Sequence, residues 1–128
     1  MVGFAAAMGN NPDWEKGLAT LGKDFHITQM TFKNHACCGH TFAAIDGALE
    51  LKKRMQLKAV DIEQIDVATY KAGVEVAGYE NPTTPAEGRF SLKYVDATAL
   101  THGSVRLAAF EPDRLSDPAT RSLSLIHI

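Results

Sequence analysis

The 128-residue sequence has little cysteine: two residues, and they are neighbours, Cys37 and Cys38. A bridge between adjacent cysteines closes a strained ring, and no third cysteine offers another partner. The disulfide framework of a small secreted domain is therefore excluded. An excess of charge of either sign is also missing. Thirteen Lys and Arg stand against fifteen Asp and Glu, for a net charge of −2 with no basic stripe, which argues against a nucleic-acid partner. No apolar run approaches the roughly 18 residues that a membrane span needs. The opening MVGFAAAMGNN lacks the basic start and the apolar length of a secretory signal, so the cytoplasm is the expected compartment. Internal repeats and low-complexity tracts are absent as well.

What is present is the composition of a soluble globular domain, 45% hydrophobic and 22% charged, with length enough for one real core. The densest chemistry lies in FKNHACCGH, Phe32 to His40, which combines a lysine, two histidines and both cysteines. His35, Cys37, Cys38 and His40 are metal-ligating types. Four ligands so close together rarely close a tetrahedron, however, and no second pair follows further along. Neither a metal nor a cofactor is expected, and the cysteines read as small buried residues beside a helix mouth.

Periodicity gives an order of elements. Residues 12–23 read as a short helix stopped by Gly22, and HITQMTFK alternates as a half-buried strand ending at Lys33. TFAAIDGALELKKRMQ carries Phe42, Ile45 and Leu49 at helical spacing, with Lys52, Lys53 and Arg54 as a solvated face. EQIDVATYK alternates Ile65, Val67 and Thr69 with Asp66, Ala68 and Tyr70, which predicts a second strand. GVEV, within a loop-like stretch from Lys71 to Glu87, reads as a possible edge strand. Ser91 caps a helix over LKYVDATALTH that Gly103 ends. VRLAAF reads as a short strand or loop, and a last helix begins near Asp117-Pro118. The expected fold class is α+β: a small, mostly antiparallel sheet with helices packed on one face.

The segments LATLGKDFHITQMTFKNHACCGHTFAAIDGALEL, DIEQIDVATY and NPTTPAEGRFSLKYVDATALTHG, in this order, resemble successive landmarks of the MmgE/PrpD family. That family contains 2-methylcitrate dehydratase, cis-aconitate decarboxylase and iminodisuccinate epimerase. The resemblance implies that residues 1–122 are the smaller lid domain of a two-domain enzyme. A larger helical domain would share its active site, and the full-length protein would be a homodimer. The implied chemistry is proton abstraction α to a carboxylate on a small di- or tricarboxylate. A dehydratase or other lyase is the first reading, with an epimerase or a non-catalytic carboxylate-binding domain as alternatives. The fragment alone would be inactive. LSLIHI, residues 123–128, continues no family pattern and is the in-frame translation of CTGTCTCTTATACACATC, a transposase adapter sequence. It is expected to be a non-native tail.

Such chemistry needs cations for carboxylates and a proton carrier on a rigid frame. Lys33 matches the family's lid lysine, and His40, at a helix N-terminus, suits a neutral imidazole that accepts a proton. These two are the expected catalytic residues. Cys38, Tyr79 and Arg89 are the expected substrate-binding residues. Arg89 stands in GRFS where relatives carry lysine, and Cys38 stands where the decarboxylase branch carries histidine. His35 is expected to face solvent or to pack beside the strand. Lys93 and Asp96 occupy positions where relatives prefer proline and a small apolar residue.

Overall fold

The computed structural model describes residues 3–124, which divide into two units, 3–32 and 33–124. The first unit contains two five-residue helices, α1 (Phe4–Met8) and α2 (Trp14–Leu18), followed by a 3₁₀ turn over His26–Gln29. Asp13 caps α2 by accepting from the Lys16 amide at 3.0 Å. The helix ends at Leu18, short of the expected 12–23.

The second unit is built on two helices, α3 (Phe42–Met55) and α6 (Leu92–His102). Around them lie α4 (Lys71–Val76), α5 (Pro85–Arg89), α7 (Pro112–Leu115) and α8 (Pro118–Ser124), with 3₁₀ turns at Gly39–Thr41, Ala59–Asp61 and Leu107–Phe110. α6 packs against both α3 and α8 and is buried almost throughout, from Leu92 to Leu100. Its limits follow from local chemistry. The Ser91 hydroxyl accepts from the Tyr94 amide at 3.2 Å, and Gly103 closes the helix at φ 75°, a left-handed conformation that glycine adopts without a Cβ penalty.

One side of α6 joins Ile45 of α3, Val105, Phe110 and Leu115 in the main core, where the Tyr94 and Phe110 rings lie 6.1 Å apart. The other side joins Ala97 and Leu100 to Leu123 of α8. Gly88, in α5, lets the backbone come close here: a Cβ would sit 3.0 Å from Leu115 and 3.2 Å from Phe110. Lys52 leaves the solvated face predicted for it. Its ammonium donates to the carbonyls of Leu100 and Thr101 at the end of α6, a favourable place for a cation.

The α+β expectation is overturned: among the described residues there is no strand and no sheet, only an isolated antiparallel bridge between Gly78 and Ser91. The reasons are local. HITQMTFK begins as a 3₁₀ turn, and both of its alternating faces are exposed, so no buried face holds it flat. EQIDVATYK does keep its alternation, with Ile65, Val67 and Thr69 half-buried and Asp66, Ala68 and Tyr70 exposed, but no strand lies beside it. Alternation reports which face is buried, whereas a strand needs a partner ladder. GVEV lies in α4 and VRLAAF contains a 3₁₀ turn. α8 runs through Leu123 and Ser124, both buried, while residues 125–128 of the expected tail lie outside the described residues.

Candidate active site

The segment after Phe32 is stitched to distant parts of the second unit. The Ala36 amide donates to the Val105 carbonyl at 3.1 Å, and the Cys38 amide donates to the Arg89 carbonyl at 2.9 Å. Arg106 donates to the Asn34 carbonyl at 2.7 Å. These three bonds hold Lys33, Cys38, Arg89 and Arg106 around one open cavity of about 640 Å³. Lys33 is fixed from within its own segment, its ammonium donating to the Cys37 carbonyl at 3.1 Å. The Arg89 guanidinium lies over the Phe110 ring, 5.4 Å from its centroid, so its stem is anchored on the core.

Among the sequence-predicted residues, Lys33, Cys38 and Arg89 meet in this cavity. His40 and Tyr79 do not line it. His40 is bonded through Nδ1 to the Tyr70 hydroxyl, and Tyr79 lines a smaller cavity with Glu80 and Lys93.

Two residues outside the expected site also belong to the cavity, His35 and Arg106. His35, expected to face solvent or to pack beside the strand, is buried. Its Nε2 lies 2.8 Å from Asp46 Oδ1 and its ring packs edge-on against Phe42. The α3 helix thus supplies a carboxylate that orients the imidazole of the preceding turn. Asp46, 11 residues on and one helical turn past Phe42, was a signal available in the sequence. Arg106 carried none, because its partner Asn34 lies 72 residues away.

Cys37 is a structural thiol. Burial pushes it up, and Sγ sits 3.2 Å from the Thr41 hydroxyl, so it stays neutral and unreactive. Among the described residues no group of three or more His, Cys, Asp or Glu stands where it could hold a metal ion, and no helix is long and apolar enough to cross a membrane. Three cations and an oriented imidazole around one open cavity make an arrangement that can hold carboxylates and move a proton.

Residues 35–124 match the MmgE/PrpD C-terminal domain. The chain is also 30% identical over 130 residues to a cis-aconitate decarboxylase-like protein of Aspergillus oryzae, in an alignment covering 94% of this chain. It spans 27% of that relative's length.

Proposed function

Because the chain belongs to the MmgE/PrpD family, we propose that it supplies the carboxylate-holding half of the active site of a lyase acting on small di- or tricarboxylates. The observation that carries this reading is the convergence of Lys33, Arg89 and Arg106 on one cavity. Two guanidiniums can grip carboxylates bidentately, and the lysine ammonium provides a point charge beside them. When a proton leaves the carbon α to a carboxylate, the electron pair spreads onto that carboxylate as an enediolate. Lys33 is the cation placed to offset this developing charge. The pair then expels the leaving group on the neighbouring carbon. His35, oriented by Asp46, is the group in the cavity suited to take or return the proton. Groups from the remainder of the longer polypeptide complete the site in this reading, and the chain alone turns over no substrate.

The test uses the longer enzyme. Lys33→Met should lower kcat/KM by ~10²–10³-fold, the scale of removing one electrostatic stabiliser of a transition state. The side chain is exposed, so thermal stability should change little. Turnover within a few-fold of the parent would remove Lys33 from the chemistry and the reading with it.

A further inference from the structure

A second open cavity, about 330 Å³, lies between α3, residues 57–68 and α6. Its α3 wall is formed by Ala44, Gly47, Ala48 and Leu51, spaced so that they share one helix face. The small side chains open the space: a Cβ built on Gly47 meets nothing within 4 Å. Asp96 of α6 forms part of the opposite wall. It is 1% exposed, and neither carboxylate oxygen has a hydrogen-bond partner among the described residues. A carboxylate withdrawn from water without a partner is costly, and native structures seldom tolerate one without a reason.

We propose that this cavity binds the ammonium head of an unbranched aliphatic amine, with Asp96 as its counter-ion and the Ala44–Leu51 face as the wall for its carbon chain. The chemistry of the walls selects this class. A hard metal ion takes six or more oxygen ligands, and this largely apolar lining offers two carboxylates, Asp96 and Asp66, the second already bonded to Gln64. An anion would meet Asp96 and Asp66 on the same lining. A neutral hydrocarbon would leave the carboxylate unpaired. An alkylammonium satisfies both parts, its charge at the acid and its methylenes on Ala44, Ala48 and Leu51. The same head occurs on a free amine and on a lysyl side chain of another polypeptide segment.

The test titrates n-butylamine into the 128-residue chain at about pH 8, where the ligand is an ammonium, with n-butanol as the neutral control. Backbone-amide NMR shifts and the thermal midpoint are the readouts. The amine should give saturable shifts at Gly47 and Asp96 and raise the midpoint. Asp96→Asn should weaken it by about tenfold or more, the scale of losing one partner of a desolvated charge pair. Gly47→Leu, which fills the cavity and leaves the acid in place, should block binding as well, and it keeps the test decisive if Asp96→Asn folds poorly. Butanol binding as well as butylamine, undiminished binding to either variant, or no amine binding at all would each overturn the proposal. Nα-acetyl-lysine methylamide separates the sources. Binding comparable to that of butylamine assigns the cavity to a lysyl side chain, and binding of butylamine alone assigns it to a free amine.

Discussion

Residues 3–32 leave all their large apolar side chains exposed, whereas residues 33–124 enclose a core set of theirs. In the first region Phe4, Trp14, Leu21, Phe25, Ile27 and Phe32 are all more than half exposed, Phe32 at 94%. In the second Ile45, Tyr94, Val95 and Val105 are wholly enclosed. Apolar content does not separate the two regions; helix length and partners do. α1 and α2 are five residues each, little more than a turn, and present no continuous face. α3 and α6, at 14 and 11 residues, each present a stripe long enough to pack against the other. The lesson is that an apolar pattern becomes a core only where two elements are long enough to cover one another.

Truncation of a core residue should break this contrast most sharply. Ile45→Ala should cost about 2–5 kcal/mol of unfolding free energy, the range for emptying a fully buried aliphatic site. Denaturant unfolding measures it, and a loss below about 1 kcal/mol would mean that the α3–α6 core is not what holds the second region together.

A smaller effect comes from Asp96, a buried acid without a hydrogen-bond partner among the described residues. Burial pushes Asp96 up from 3.8 to about 7. The folded state therefore holds this proton more tightly than the unfolded chain, and the stabilisation is fully present below the unfolded value. It fades as pH rises through the folded value. Between about pH 5 and about pH 8 the protein should lose on the order of 2–3 kcal/mol, and Asp96→Asn should flatten the profile. Asp66 lines the same cavity, and the Cys37 thiol, raised chiefly by burial, feels the Asp96 charge. Glu87 and Asp117, lowered chiefly by hydrogen bonds from Thr83 and Thr120, lose their contributions at acid pH below this window. A stability that rises toward pH 8 in the parent would contradict the assignment.

The smallest change belongs to the first region. Leu21→Ser, at a position 78% exposed, should alter unfolding free energy by about 0.5 kcal/mol or less while reducing the binding of a hydrophobic dye. A destabilisation comparable to that of Ile45→Ala would erase the distinction between the two regions.

The parts of the fold that were legible in the sequence are those whose signals are local. Ser91 and Gly103 bracket α6 because capping is decided within a turn, and the spacing of Phe42, Ile45 and Leu49 fixes the buried face of α3. The expected strands failed because pairing depends on another segment that alternation does not describe. GVEV has the β-branched residues of a strand, yet it lies in the single short helix α4. The site divides in the same way. Lys33 and Cys38 share a short turn, and Arg89 reaches them through the amide of Cys38. Arg106 arrives by a contact that spans most of the second unit, and His40 turns instead to Tyr70.

The lone alternating segment also has a consequence in time. Residues 63–69 make no backbone-to-backbone hydrogen bond among the described residues, whereas α6 carries a full helical ladder through the middle of the core. In deuterated water the amides of 63–69 have no bond to break before they exchange, so their labelling should run at close to the rate of an unstructured peptide. Those of Val95 to Leu100 wait for the whole unit to open. Labelling would thus show two clocks in one half-buried layer, with Ile65 holding its side chain against the helices while its backbone trades protons freely with the solvent.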